Sequence, residues 1–542
     1  MLWPLFLAVV LVVSQGAGSP SPAPLDVADL EAAGRLSGLA FTPSELELML
    51  PGVIADLASY ERLRALPVPH ALPPALAFSP LLAGVSADPW LPPERQLRLP
   101  DVRRPDELSE LLFADIPTLA ALLRSRQVSC EELLELHLTR LRALDETLHC
   151  VISYTEERAR AQARSLDAEL AAGRWRGPLH GIPWGAKDLL AVRGAPTTWG
   201  AQPFAEQVID ADAEVVARLD AAGAVLIAKL SLGALAWGDV WFGGKTRNPW
   251  NAEQGSSGSS AGPAAATAAG GVVFAIGSET HGSIVSPSER CGTTGLRPSF
   301  GRVPRTGAMT LCWSMDKLGP LTRSVGDAAL VFDAIVGPDG DDLSVLDLPW
   351  RLPLDVDVSG WKVGYAPSDF EQRAEHAAVL DELRALGVEL VPIELPDAPI
   401  EALMIGLSVE AATAFDELTR SGRDDLLVRQ IARAWPNVFR VARLVPAVEF
   451  LRAQRLRTQL VRDLERCLGE VVAWVHPSFA GPSLGMTNLT GHPAVVMPCG
   501  VREDGTPFGI SFGGRLYDEA RLLALAEAWQ RSTTHHRGQP MR

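Results

Sequence analysis

The sequence predicts an α/β fold: one large domain of helices layered around a largely parallel or mixed β-sheet, preceded by a helical and proline-rich extension. Three observations predict it. Beyond Gly181 short apolar runs, AVLIA (224–228), VVFAI (272–276) and VELVPI (388–393), alternate with helical stretches and glycine turns, the texture of sheet and helix layers. At 542 residues with 47% hydrophobic content and no internal repeat, the chain has the material for a sizeable core. Before residue 106 the composition shifts to proline, which separates that stretch from the domain behind it.

Taken in order, residues 1–18 read as a secretory leader. Leu5 to Val13 is an unbroken apolar run, too short to span a bilayer, closed by Gly16, Ala17 and Gly18. The expectation is an exported protein, periplasmic or extracellular, with no membrane span. Residues 19–105 form the extension: helical from Asp26 to about Leu66, then extended through LPVPHALPPALAFSP and ADPWLPPERQLRLPDVRRP. Three roles stay open for it: covering a cleft, holding a homodimer, or serving as an export-side appendage. The main domain is expected over 106–535. It opens with ELSELLFADIPTLAALLRSRQ and then SCEELLELHLTRLRAL, where Ser129 and Glu132 make a capping box.

The charge of −16 argues against nucleic acid or anionic lipid as the main partner. Six cysteines, at 130, 150, 291, 312, 467 and 499, lack any metal-binding spacing. Cys130 and Cys150 are open to pairing after export, and the rest read as small buried residues. No metal and no cofactor is expected. Only five of the 49 basic residues are lysines: Lys187, Lys229, Lys245, Lys317 and Lys362. Such a bias matters to chemistry, because arginine cannot give up its proton near neutral pH.

Three motifs suggest other chemistries. GGKT (243–246) lacks the upstream glycine of a phosphate loop, since position 239 is Asp. SMDK (314–317) fits a Ser-x-x-Lys pair, but no Lys-Thr-Gly triplet follows it. Gly258-Ser259-Ser260-Ala261-Gly262 satisfies the G-x-S-x-G elbow of α/β-hydrolases, with Ser260 as nucleophile and His281, His476 or His492 as base. That motif needs a strand running straight into the turn, and NPWNAEQGSS reads as none.

QGSSGSSAGPAAATAAGG (254–271) has the composition of a flexible tether, but its surroundings exclude one. Pro263 can open a helix, AAATAA continues it and Gly270-Gly271 ends it, with a strand directly behind. GSETHGSIVSPS then sets Ser283 after Gly282 at that strand's end, where irregular backbone can aim several N–H groups at one point and hold an oxyanion. Together with GIPWGAKDLL (181–190), CGTTGLRPSFGRVP (291–304), TGHPAVVMPCG (490–500) and GTPFGISFGG (505–514), these blocks resemble the amidase signature family from about residue 106 to the C-terminus.

The resemblance implies that family's fold, a mixed β-sheet sandwiched between helices, and a Ser–cis-Ser–Lys triad, with Lys187 as base and Ser283 as nucleophile. GSSGSS offers two Ser-Ser pairs for the bridging serine. Counting back without a gap from Gly277 selects Ser259, with Ser260 beside it. The backbone of Thr280, His281, Gly282 and Ser283 would form the oxyanion hole. Trp184, Ser260 and His281 are candidate pocket residues, and Asp188 reads as structural. A lysine with an ordinary pKa near ~10.4 is charged at neutral pH. Burial strong enough to lower it by about three units costs roughly 4 kcal/mol, which packing must supply. Neutral Lys187 would draw a proton from Ser259, which draws that of Ser283, and the acyl-enzyme would be cleaved by water.

Two departures from the family pattern stand out: His281 replaces a glycine, and Val285 replaces an arginine that many members use toward anionic substrate groups. The family implies a small-molecule or peptide amide as substrate. One branch serves a tRNA-dependent amidotransferase, which the leader and the acidic charge argue against. A catalytically silent binding protein is the alternative from outside enzymology.

Overall fold

The computed structural model describes residues 25–66, 69, 70, 72, 76–81, 87 and 89–541. The expected leader, 1–18, lies outside them. The chain divides into two compact units, Met1–Val68 and Pro69–Arg542. The smaller contains two helices, Val27–Leu36 and Pro43–Arg64. Each opens on a capping box, Asp26 with Asp29 and Thr42 with Glu45, which satisfies N–H groups that the first turn leaves free.

The larger unit begins at Pro69, and from the second proline-rich run Leu97 and Val102 pack against its core. Its centre is an eleven-stranded sheet. In chain order the strands are β1 (Val151–Tyr154), β2 (Pro183–Lys187), β3 (Val225–Leu230), β4 (Phe274–Glu279), β5 (Thr294–Arg297) and β6 (Lys317–Thr322). They are followed by β7 (Lys362–Tyr365), β8 (Glu389–Pro392), β9 (Ala473–Pro477), β10 (Ala494–Val501) and β11 (Pro507–Gly514). Their order across the sheet is β1-β3-β2-β4-β6-β5-β10-β11-β9-β7-β8. The pairs β3/β2, β2/β4, β9/β7 and β7/β8 are parallel and the others antiparallel, which makes the sheet mixed, as expected. Strands β2, β3, β4, β5 and β6 are buried along their whole length, and β3 and the start of β4 accordingly read as short continuous apolar runs and not as alternating ones.

Helix Cys130–Leu148 starts at the expected capping box: Glu132 N–H donates to Ser129 Oγ at 3.1 Å and Ser129 N–H to Glu132 Oε2 at 2.9 Å. The small-residue helix runs from Ala261 to Ala268, two residues earlier than proline at its first position would give. Pro263 sits within the first turn, where a missing N–H costs nothing. A Cβ on Gly262 would lie 2.4 Å from the Cys150 carbonyl oxygen and 2.5 Å from the Ser231 nitrogen, so this helix approaches the backbone more closely than any side chain allows. The six cysteines are free, Cys130 and Cys150 included.

Candidate active site

Strand β2 lies parallel to β4 with Ala186 opposite Ile276, which brings Lys187 beside the end of β4. Lys187 is fully buried. Its Nζ is 2.8 Å from Ser259 Oγ, 3.0 Å from Ser260 Oγ, 2.9 Å from Ser278 Oγ and 3.3 Å from the Ser278 carbonyl oxygen. No carboxylate among the described residues touches it. Burial pushes its pKa well below the ordinary lysine range, against the smaller opposing pull of the Asp316 and Glu279 charges. A neutral amine has two N–H groups and one lone pair. The Ser278 carbonyl can only accept, so it takes one of the N–H groups, and the lone pair is left for a serine hydroxyl. Ser260 Oγ also accepts from Ser278 N–H and faces the Ser278 carbonyl, both at 3.2 Å, which fixes it between the loop and β4. The peptide bond between Gly258 and Ser259 is cis. Ser256 is buried in the preceding loop, and Ser257 Oγ pairs with Ser286 Oγ at 2.9 Å.

Beyond β4 the chain turns through Thr280, His281, Gly282 and Ser283, with Gly282 at a φ of +83°. Among the described residues none of these four N–H groups has an acceptor. The next two are taken: Ile284 and Val285 N–H donate to Glu279 Oε2 at 2.8 and 2.9 Å. Glu279 Oε1 accepts from Arg297 and from Asn488, each at 2.7 Å, and Lys317 Nζ reaches Asn488 Oδ1 at 2.8 Å. Burial alone would raise the Glu279 pKa; the Arg297 and Lys317 charges and its hydrogen bonds instead hold it down to about 2. A fixed carboxylate thus takes the two later N–H groups and leaves the earlier four free. Ser260 N–H donates to the Ser283 carbonyl at 3.1 Å, tying the turn to the serine–glycine loop. Ser283 retains 8% exposure, whereas Lys187, Ser259 and Ser260 have none. Its Oγ has no hydrogen-bond partner among the described residues.

A cavity opens beside this turn, lined in part by Ser278, Thr280, Asp316, Leu311 and Met309. Asp316 joins its walls: Oδ1 accepts from Thr280 Oγ1 at 2.6 Å, and Oδ2 from Leu311 and Cys312 N–H at 2.8 and 2.9 Å. Ser278, Glu279 and Asp316 went unread in the sequence. The only available signal for the acids was their position inside blocks already singled out, GSETHGS and SMDK.

Trp184 does not line the cavity. It is fully buried and stacked on Phe274, with ring centroids 5.8 Å apart, because successive strand residues point to opposite faces. His281 is exposed, and its Nε2 would lie 3.7 Å from a Cβ on Gly485. Asp188 turns away to Lys229, at 2.6 Å, and to Thr198. The hydrolase-elbow reading fails on geometry, since Ser260 touches a lysine and no histidine. A short strand, Asn251–Gly255, does precede it, but pairs with Arg247–Asn248 outside the main sheet. In SMDK, Ser314 binds Glu410 and Lys317 binds Asn488, so the two make no pair.

The Amidase family model matches residues 132–485. A glutamyl-tRNA(Gln) amidotransferase subunit from Roseiflexus sp. (strain RS-1) is 34% identical over 471 residues, 78% of this chain and 96% of that protein. Its counterpart from Moorella thermoacetica is 34% identical over 483 residues, 80% of this chain and 99% of its own. The crystal structure of native peptide amidase from Stenotrophomonas maltophilia superposes with a TM-score of 0.72 at 28% identity, covering 80% of this chain and 99% of that one. These relatives overturn the expectation of an exported protein. The curated proteins matched along most of the chain are components of translation, which runs in the cytoplasm and not in an export compartment.

Proposed function

The chain belongs to the amidase signature family and is an amide-hydrolysing enzyme, and from that premise we propose that it acts by acyl transfer through Ser283. The single observation that carries this reading is a buried Lys187, its pKa pushed well below the ordinary lysine range, in contact with Ser259 and next to a turn of four free N–H groups that ends in a serine more exposed than Ser259 or Ser260. Ser283 Oγ attacks the amide carbonyl. Ser259 takes its proton and passes its own to the Lys187 lone pair, while the backbone N–H groups of Thr280 to Ser283 receive the oxyanion. The proton returns through Ser259 to the leaving nitrogen, which departs as ammonia or an amine. Water then repeats the cycle and frees the carboxylate. Closing the relay requires the Ser283 hydroxyl to meet Ser259 Oγ.

The substrate proposed is a small-molecule or peptide amide seated against Met309 and Leu311. Val285 supplies no cation for an anionic substrate group. A second reading, in which the chain supplies ammonia to a partner enzyme, is favoured by the similarity to amidotransferase subunits. Product release by the purified chain alone separates the two. The hydrolase reading expects carboxylate and ammonia from a soluble primary amide with no partner present, abolished in Ser283→Ala. Turnover that appears only on adding an amidotransferase partner would replace it with the second reading.

A further inference from the structure

Residues 427–462 carry eight arginines and a single acid, Glu449, in a chain whose net charge is −16. They form helix Trp435–Ala442, a turn, and most of helix Ala447–Leu468. The inner face of the longer helix is buried through Arg457, Leu460, Val461, Leu464 and Leu468. Its outer face presents Val448, Leu451, Arg452 and Arg455, three, four and seven positions along from the first and so on one side. Val441 and Leu444, before that helix, are exposed as well. Val448 is 72% exposed, Leu444 61% and Val441 57%.

The arginines of this face differ from their neighbours. Arg440 and Arg443 are paired with Asp424 and Asp416, whereas Arg452 and Arg455 have no partner among the described residues. Nor is the longer helix loosely attached. On its inner side Arg457 donates to Ser314 Oγ and to the Ser314 carbonyl, both at 2.8 Å, and Glu410 accepts from the Ser314 hydroxyl at 2.6 Å. A rigid surface therefore carries exposed branched aliphatic side chains beside unpaired cations.

Three occupants can be weighed against that chemistry. A second copy docked through the same face would set unpaired arginines against their own duplicates. A nucleic acid would satisfy the arginines and leave Val448 and Leu451 against phosphate. An anionic bilayer satisfies both, taking the aliphatic groups into the acyl boundary and the guanidinium groups at the headgroup phosphates. The acidic remainder of the chain is repelled by the same surface, so the attraction is oriented. No helix among the described residues is long and apolar enough to cross a membrane, so the contact would lie in the interface plane.

We propose that the outer face of helix Ala447–Leu468 is a docking surface for anionic lipid, with Val448 and Leu451 in the interface and Arg452 and Arg455 on the headgroups. The local charge reverses the expectation drawn from the whole chain. The test is flotation of the full-length protein with vesicles of phosphatidylcholine alone and of phosphatidylcholine mixed with phosphatidylglycerol. The protein is expected to float with the mixed vesicles only, and added salt releases it. Removing both charges in Arg452→Gln/Arg455→Gln weakens binding roughly thirtyfold, and Val448→Glu/Leu451→Glu abolishes it. All four positions are exposed, and unchanged melting temperatures establish that the variants remain folded. Absence of flotation with either vesicle, equal binding to both, or binding indifferent to these substitutions would overturn the proposal. So would a dimer in sedimentation that Leu451→Glu dissolves, which assigns the face to a second copy, or a tRNA complex insensitive to Val448→Glu.

Discussion

Lys187 decides whether the site has a base. Its burial without a carboxylate contact disfavours the charged form, so the group is deprotonated at pH values where a free lysine is not. The sign of the pH effect follows. Activity is expected to rise with pH along one limb, centred well below the ordinary lysine value, as the fraction of neutral Lys187 increases. A profile of kcat/KM against pH checks this, and a limb at the ordinary lysine value would contradict it. Lys187→Arg holds a permanent charge and is expected to be inactive across the whole profile. Lys187, Ser259 and Ser283 each sit in a quoted block, and counting back from Gly277 reached one of the three serines whose hydroxyls contact the lysine. Ser278 was not legible in the sequence, because its approach to Lys187 depends on the register of β2 against β4, which no local pattern encodes. Trp184 was misread for a related reason: closeness in sequence to Lys187 does not put two strand residues on one face.

At the scale of the element, the turn after β4 is shaped by Glu279. Glu279→Ala would leave Arg297 buried without its carboxylate and strip the Ile284 and Val285 N–H groups of their acceptor. A loss of about 3–5 kcal/mol is expected in urea unfolding. The milder Glu279→Gln is expected to stay folded, with kcat lowered on the order of 10²-fold as the oxyanion donors lose alignment. Its native pKa of about 2 lies below the unfolded carboxylate value, so its stabilising effect is full above that value and is lost as pH falls toward 2. Acid unfolding of Glu279→Gln should lack that portion of the slope. Gly262→Ala forces a Cβ into backbone atoms that cannot yield, and a loss of about 1–3 kcal/mol in the same unfolding assay is expected. The tight packing of this helix was readable from its run of small residues. Its starting residue was not, because proline is tolerated anywhere in a first turn.

Over the whole molecule, the alternation of apolar runs with helices was enough to give α/β layers, and the family resemblance supplied the mixed sheet. The order of eleven strands was not legible, since β5 pairs with β10 across about two hundred residues and such pairings leave no local trace. Net charge was the least informative quantity, because a chain of −16 still contains a segment with eight arginines and one acid. The central claim remains that Ser283, activated through Ser259 by neutral Lys187, is the nucleophile. Fluorophosphonate labelling of the purified chain, with the modified residue located by mass spectrometry, tests it most directly. An adduct on Ser283 that disappears in Lys187→Ala is predicted. An adduct on Ser260, or one on Ser283 that persists without the lysine, would contradict it.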